Sequence, residues 1–256
     1  MVDGVRKAFA LKVMKNKAGL DAALFVREVD TLDAIVREII EADPVLAPSL
    51  PVAKVLRDAR DRAFVMSPVG RKIEGTDFDA IKSLLPTLVQ VLKHVHGLYV
   101  HRDLRLPNIL VGEDNAPLVV DWGYAAEVGE DVAPAGALFD SSDRVLQAAA
   151  KKCTYTTRAS DDLQTLVRTL FRHLTSADAL LPLVFPLAAV RKRDYAAILT
   201  FWKALEGSKA WAESHAADAM NAAASEFDGV HFPDYDQFSR SLMLMVEWCQ
   251  EQWRRR

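Results

Sequence analysis

His101-Arg102-Asp103-Leu104-Arg105-Leu106-Pro107-Asn108-Ile109-Leu110, followed after a polar turn by Val119-Val120-Asp121-Trp122-Gly123, carries the densest chemistry in this chain of 256 residues. Asp103, Asn108 and Asp121 are oxygen donors on neighbouring segments. Two short apolar runs, Asn108–Val111 and Leu118–Val120, flank the turn Gly112–Pro117, a pattern that predicts a loop followed by a hairpin. Mg²⁺ prefers hard oxygen ligands and takes one or two from carboxylates, leaving its other positions to phosphates and water. Asn108 and Asp121 are therefore candidate metal ligands, and Asp103 a candidate proton acceptor.

Outward from this stretch, the pattern is helical downstream and partly strand-like upstream. A long helix precedes it: Thr76 and Asp79 have capping-box spacing, and Ile81, Leu84, Leu85, Leu88, Leu92 and Val95 form one stripe. Further upstream, Val52–Leu56 and Ala63–Val65 read as a hairpin around a charged turn, residues 57–62. Leu20–Ala42 reads as a helix through Leu24, Phe25, Val29, Leu32, Ile35, Val36 and Ile39, and residues 8–14 as a strand. Downstream, 124–160 lacks periodicity and reads as an extended surface segment. Asp162–Thr175 is a helix with a stripe wide enough to be central, 194–228 is helical and Ala-rich, and about Asp234–Arg255 is a final helix carrying Phe238, Leu242, Val246, Cys249 and Trp253.

Glu28 falls four residues after Leu24 and four before Leu32, on or beside the apolar stripe of the first helix. An unpaired carboxylate there would be costly, and Lys12 in the first strand is the natural partner. The alternative reading is that Glu28 reaches solvent and that Asp30 or Glu38 is an equally good partner.

With these residues in place, the chain resembles the protein kinases over residues 8–256. His101-Arg102-Asp103 through Asn108 is similar to their catalytic loop, and Asp121-Trp122-Gly123 to their metal-binding Asp-Phe-Gly motif; Asp103, Asn108 and Asp121 share the family's order and spacing. Phosphoryl transfer is catalysed mostly by positioning and charge neutralisation, which suits this set. The resemblance implies an α+β, bilobal fold with a small β-rich N-lobe (1–66), a hinge (67–70) and a larger helical C-lobe (71–256). It implies ATP and Mg²⁺, with Asp103 as base or hydroxyl orienter, Asn108 and Asp121 as metal ligands, and Arg105 contacting the γ-phosphate. Ala10-Leu11-Lys12 is similar to the Ala-x-Lys of a kinase strand, so Lys12 would hold the α- and β-phosphates while paired with Glu28. Ala10 and Leu110 would sandwich the adenine, and Val65, Met66 and Ser67 would read its edge. His94, His96 and Gly97 are similar to the His-x-x-Gly that precedes the catalytic loop. Asp161-Asp162-Leu163 resembles the start of a helix in casein-kinase-1-like domains, where the Asp braces the catalytic-loop backbone. The tract from Phe201 to the last helix vaguely resembles fungal-type and crinkler-type effector kinases.

The chain also departs from that pattern. Seven residues precede Ala8 and hold one glycine, Gly4, so the expected N-lobe is truncated and lacks the glycine-rich hairpin that covers the phosphates. Trp122 replaces a Phe. No Ala-Pro-Glu motif ends the activation segment; Gly136–Phe139 followed by Ser141 and Ser142 is closer to the casein-kinase-1 style. Arg102 stands where many kinases grip an activation-loop phosphate, and Ser141, Ser142, Thr154 and Thr156 are candidate acceptors.

The expected activity is that of a Ser/Thr protein kinase acting on a protein substrate. The alternatives are a small-molecule kinase of the aminoglycoside or choline type, which Asp121-Trp122 resembles, and a pseudokinase or binding module. A net charge of −3 provides no basic excess for a phosphate backbone, so nucleic acid is not an expected partner. Two cysteines, Cys153 and Cys249, form no metal or disulfide framework. With no signal-peptide pattern and no apolar run of about 18–20 residues, the sequence reads as intracellular and soluble, without a membrane partner.

Overall fold

A computed structural model describes residues 10–13, 20–50, 52–55, 63–74, 77–112, 115–175, 187–227, 230–231 and 233–255 of the protein. The expectation about the missing glycine-rich hairpin falls on residues 1–9 and lies outside them.

β1 (Ala10–Val13), β2 (Val52–Val55) and β3 (Ala63–Ser67) form an antiparallel sheet with β3 in the middle. The register sets Ala10 opposite Met66 and Lys12 opposite Phe64. Because alternate strand residues share a face, Ala10 and Lys12 project the same way. Between β1 and β2 runs α1 (Leu20–Ala42), whose Leu32, Ile35 and Ile39 are buried. It packs on the short 3₁₀ turn Trp122–Tyr124, which begins directly after Asp121. That contact brings the first helix to a motif that begins about eighty residues after the helix ends. Leu24 and Phe25 lie in the helix, outside the residues whose side chains are described.

Beyond Ser67 the chain enters a second antiparallel sheet of β4 (Arg71–Lys72), β6 (Ile109–Val111) and β7 (Pro117–Val119), with β6 in the middle. Gly70 is needed at the entrance: a Cβ there would lie 2.6 Å from the Leu110 Cβ and 2.9 Å from the Val111 carbonyl oxygen. The β6–β7 pairing is the hairpin expected from the two apolar runs, with Ile109 opposite Val119.

α2 (Phe78–Val95) buries all six residues of its expected stripe. Its N-terminus differs from the expectation by one position. Asp77 caps it, accepting from the Ala80 N–H at 3.2 Å, and Thr76 lies outside the described residues. Asp and Thr are both good caps, so spacing alone did not select between them. The short β5 (Tyr99–Val100) then pairs with β8 (Ala126–Glu127) on either side of residues 101–125.

The segment 124–160 is not an extended surface. Besides β8 it holds β9 (Asp131–Val132), α3 (Asp143–Lys151) and β10 (Tyr155–Thr156), which pairs back to β9. Asp140, Ser141, Ser142, Thr157 and Ser160 are buried. Ser142 caps α3, and Ala148 is one third of that helix's buried face with Val145 and Leu146. A face that small leaves little periodic signal.

α4 (Ala159–Leu174) is central as expected: Leu163, Leu166, Val167, Leu170, Phe171 and Leu174 are all buried. After α5 (Leu187–Lys192), the Ala-rich tract is helical as expected, in three pieces: α6 (Tyr195–Glu206), α7 (Lys209–Glu213) and α8 (Ala216–Ala223). Ser208 starts α7 by accepting from the Trp211 N–H at 3.2 Å, and His215 takes a left-handed φ of 63° before α8. The hairpin of β11 (Glu226–Phe227) and β12 (Val230–His231) precedes α9 (Tyr235–Arg254), which closes against α2, α4 and α8. In α9 the expected residues Phe238, Leu242, Val246 and Cys249 are buried, while Trp253 is partly exposed and donates its indole N–H to the Leu174 carbonyl at 2.6 Å. No helix among the described residues is long and apolar enough to cross a membrane.

Candidate active site

Lys12 stands between two carboxylates. Its Nζ lies 2.6 Å from Glu28 Oε2 and 2.6 Å from Asp121 Oδ1. Of the helix carboxylates, α1 thus presents Glu28; its side chain is buried, while Asp30 and Glu38 are exposed. Burial works against the Lys12 charge, but Glu28 and Asp121 outweigh it and hold the ammonium above its ordinary value. Burial also pushes Glu28 above the usual carboxylate range, and the Lys12 charge offsets this only in part. The neighbouring Asp121 carboxylate adds to the rise, and the Trp122 N–H opposes it. Asp121 is about two-fifths exposed and takes a left-handed φ of 69°. The side chain therefore leaves the strand direction of β7 just where the chain turns toward α1.

Asp103, Asn108 and Arg105 form a second group. Asp103 is buried, and its Oδ2 accepts from Asn108 Nδ2 at 2.9 Å and from Arg105 Nε at 3.2 Å. Its Oδ1 accepts from the Ala137 backbone N–H at 2.8 Å. Asn108 Nδ2 also reaches the Asp103 carbonyl at 2.9 Å, so the amide nitrogen is spent on Asp103 and the amide oxygen is left as the donor for a cation. The two groups are tied by backbone. The Val120 N–H donates to the Asn108 carbonyl at 3.0 Å, and His101 Nε2 bonds the Val120 carbonyl at 3.0 Å. The Asp103 N–H donates to His101 Nδ1 at 3.2 Å, so both ring nitrogens of His101 are engaged by the backbone of the two segments.

Asp162, at the start of α4, underlies the loop. Its Oδ2 accepts from the His101 N–H at 2.6 Å and its Oδ1 from the Arg102 N–H at 2.8 Å. His96 Nε2 lies 3.1 Å from Oδ2, and His96 Nδ1 lies 2.8 Å from the Tyr235 hydroxyl. Burial opposes the Asp162 charge, yet His96 and the loop N–H groups outweigh it and hold the carboxyl below its ordinary value. Arg102 has a left-handed φ of 67°, a strained state for a side chain of that size. Its N–H is held by Asp162, and its guanidinium donates to the Tyr155 hydroxyl at 3.2 Å, the Tyr124 carbonyl at 2.9 Å and the Ala133 carbonyl. Strain of this kind persists where the surroundings over-determine it.

The remaining candidates are placed but less closely bound. Ala10, Val65, Met66, Ser67 and Leu110 are all half-buried. Met66 is opposite Ala10, and Leu110 is in β6 beside Gly70. Of the candidate phosphoacceptors, Ser141 and Ser142 are buried, and Ser142 Oγ donates to Asp161 Oδ1 at 2.6 Å. Thr154 and Thr156 are exposed. No group of three or more His, Cys, Asp or Glu side chains among the described residues would enclose a metal; a cation on Asn108 and Asp121 would take its other ligands from phosphate and water, the habit of Mg²⁺.

Tyr235, Tyr155 and Ala137 were not foreseen. Tyr235 is 132 positions beyond Asp103 and acts at third hand; Ala137 contributes only its backbone.

No protein-family model matches the chain. Solved structures do match nearly all of it. The kinase PK-1 of the Cydia pomonella granulovirus superposes with a TM-score of 0.58 over 94% of this chain and 87% of that one, at 16% identity. Vaccinia related kinase 3 superposes with a TM-score of 0.61 over 93% of this chain and 79% of that one, at 15% identity. The fold is that of the protein kinases. A probable serine/threonine-protein kinase of Dictyostelium discoideum is 29% identical over 109 residues, 40% of this chain, and the match spans 17% of that protein's length. On this kinase fold, the strand carrying Lys12, the helix carrying Glu28 and the turn carrying Asp121 meet at one point, with Asp103 and Asn108 on the adjoining loop.

Proposed function

We propose that this chain is an ATP-dependent phosphotransferase that moves the γ-phosphoryl group of ATP to a Ser or Thr hydroxyl of a protein. The observation that carries the reading is the meeting of Lys12, Glu28 and Asp121 from three separate elements beside Asp103 and Asn108. The kinase fold of the structural neighbours and the Dictyostelium relative, described as a probable serine/threonine kinase, support the same class.

In this reading Lys12 neutralises the α- and β-phosphates, and Glu28 holds it there. Asn108 Oδ1 and the Asp121 carboxylate would hold Mg²⁺, which would neutralise phosphate charge when bound. Asp103 accepts the proton of the substrate hydroxyl. The hydroxyl oxygen bonds to the γ-phosphorus as the bond to the β–γ bridging oxygen breaks, and ADP departs. Base or orienting catalysis of this kind contributes roughly 10²–10⁴-fold. Arg105, held by Asp103 through Nε, stabilises the transferring group with its remaining N–H donors. Ala10, Leu110 and the β3 end Val65–Ser67 line the adenine.

The test compares labelled phosphate transfer from Mg²⁺-ATP to a mixture of proteins with transfer to aminoglycosides and choline. Incorporation at protein Ser or Thr supports the reading. Transfer to the small molecules alone would assign the chain to the second class, and nucleotide binding without transfer to either would make it a binding module.

A further inference from the structure

Asp103 is held from two directions. An ionised carboxylate offers about four acceptor sites. Asn108 Nδ2 and Arg105 Nε occupy two on Oδ2, at 2.9 and 3.2 Å. The Ala137 N–H occupies one on Oδ1, at 2.8 Å. One acceptor site is left, and it is on Oδ1.

The turn that supplies the Ala137 N–H is built against Asp103. Gly136 has a φ of +80°, and a Cβ on it would lie 3.0 Å from Asp103 Oδ1, 3.0 Å from the Arg102 carbonyl oxygen and 3.1 Å from the Asp103 Cβ. Both the backbone conformation and the space select glycine. The turn is also anchored at each end. Arg102 donates to the Ala133 carbonyl, and Arg172 grips the buried Asp140 with two bonds, at 2.8 and 2.7 Å. An N–H fixed this way does not follow the carboxylate; the carboxylate must turn to meet it.

We propose that the Gly136–Ala137 turn is the positioning element of Asp103, and that Oδ1 is the oxygen that takes the substrate hydroxyl's proton. This rests on the phosphotransferase reading. The Ala137 N–H fixes the carboxylate rotation, Asn108 and Arg105 fill Oδ2, and the hydroxyl meets the remaining Oδ1 site. Asp103 is the catalytic residue; Gly136 and Ala137 act through it.

The decisive pair of variants is Ala137→Pro and Ala137→Gly. Proline removes the N–H, and the φ of −87° at Ala137 is near the range proline accepts. Glycine keeps the N–H and loses only the methyl. The expected result is a kcat for Ala137→Pro at least about tenfold below that of Ala137→Gly, with the KM for ATP the same in both, because a small misplacement of a catalytic group lowers the chemical step. Gly136→Ala should show the same split. Equal kcat values for the Pro and Gly variants would overturn the proposal.

A second readout does not depend on activity. In the protein labelled with ¹⁵N-alanine, the Ala137 amide should exchange slowly with solvent and become faster in Asp103→Ala. Equal exchange in the two proteins would also overturn it. If the wild type transfers no phosphate, the phosphotransferase reading fails, while amide exchange still decides whether the clamp exists.

Discussion

Replacing Asp162 tests how the catalytic-loop stretch is held in place. The buried Asp162 carboxylate accepts from the His101 and Arg102 N–H groups at 2.6 and 2.8 Å and meets His96 Nε2 at 3.1 Å. Asp162→Ala leaves two backbone N–H groups, one buried and one partly buried, without this acceptor. At about 1–3 kcal/mol for each orphaned donor, the loss is about 2–6 kcal/mol. Against a typical total of about 5–15 kcal/mol, that is a large share. Asp162→Asn keeps one acceptor oxygen and orphans one donor, so about 1–3 kcal/mol is expected. Urea unfolding followed by circular dichroism measures both, with an unchanged m-value as the sign that the unfolded state is not what moved. The pH dependence provides a second check. The folded-state Asp162 carboxyl lies below its ordinary value of 3.8, so its stabilisation is present above that pH and is lost as pH falls through and below it. The advantage of the wild type over Asp162→Asn should shrink in the same window. A loss under about 0.5 kcal/mol for Asp162→Ala, the size of an ordinary surface change, would refute the brace.

Other outcomes follow from the same geometry. Mg²⁺-ATP at a hundred times its Kd should stabilise the wild type by about 2.7 kcal/mol, a rise of roughly 5–10 °C in Tm for a domain of this size; Lys12→Met should reduce the rise and Asp121→Ala abolish it, as read by thermal unfolding with and without nucleotide. Arg168 is fully buried between Asp143 and Glu206 and lies 4.9 Å over the Trp202 ring. Arg168→Ala leaves Lys203 beside both carboxylates but removes a fully buried side chain and its charged hydrogen bonds, and should cost about 2–5 kcal/mol in chemical denaturation. Burial, and then the Arg172 charge, hold His173 below its ordinary value of 6.5. The unfolded chain therefore takes up a proton that the fold refuses, and stability should fall as pH drops below 6.5; His173→Gln should flatten the Tm profile there.

The sequence revealed the parts of this molecule that side chains alone specify. Asp103, Asn108 and Asp121 were readable because their spacing reflects a loop and a tight hairpin, both local structures. Glu28 was readable because a carboxylate on an apolar helix face needs a cation, and Lys12 is 2.6 Å from it. The stripes of α2 and α4 were plain because large apolar residues recur at helical spacing. In α3 the same periodicity was hidden, since the buried face is Val145, Leu146 and one alanine. The breaks at Ser208 and His215 were hidden in turn by a tract rich in alanine, which favours helix everywhere.

In the candidate site, what stayed out of reach was made by backbone or by distant side chains. Arg102 reaches the Tyr124 and Ala133 carbonyls, and any residue type has a carbonyl. Ala137 acts through its N–H, which leaves no trace in its identity. Tyr235 reaches the His101–Asn108 loop through His96 and Asp162, a chain that exists once α9 has folded against α2. Gly136 was the one readable hint, a glycine in a stretch without periodicity. Its meaning comes from Asp103, 33 positions earlier.

The most direct test of the central claim separates nucleotide binding from transfer in one variant, Asp103→Asn. Labelled phosphate transfer to protein and Mg²⁺-ATP affinity are measured side by side with the wild type. The wild type should bind and transfer, and the variant should bind with nearly the same affinity and transfer at least about a hundredfold more slowly. Transfer at the wild-type rate by Asp103→Asn would contradict the account.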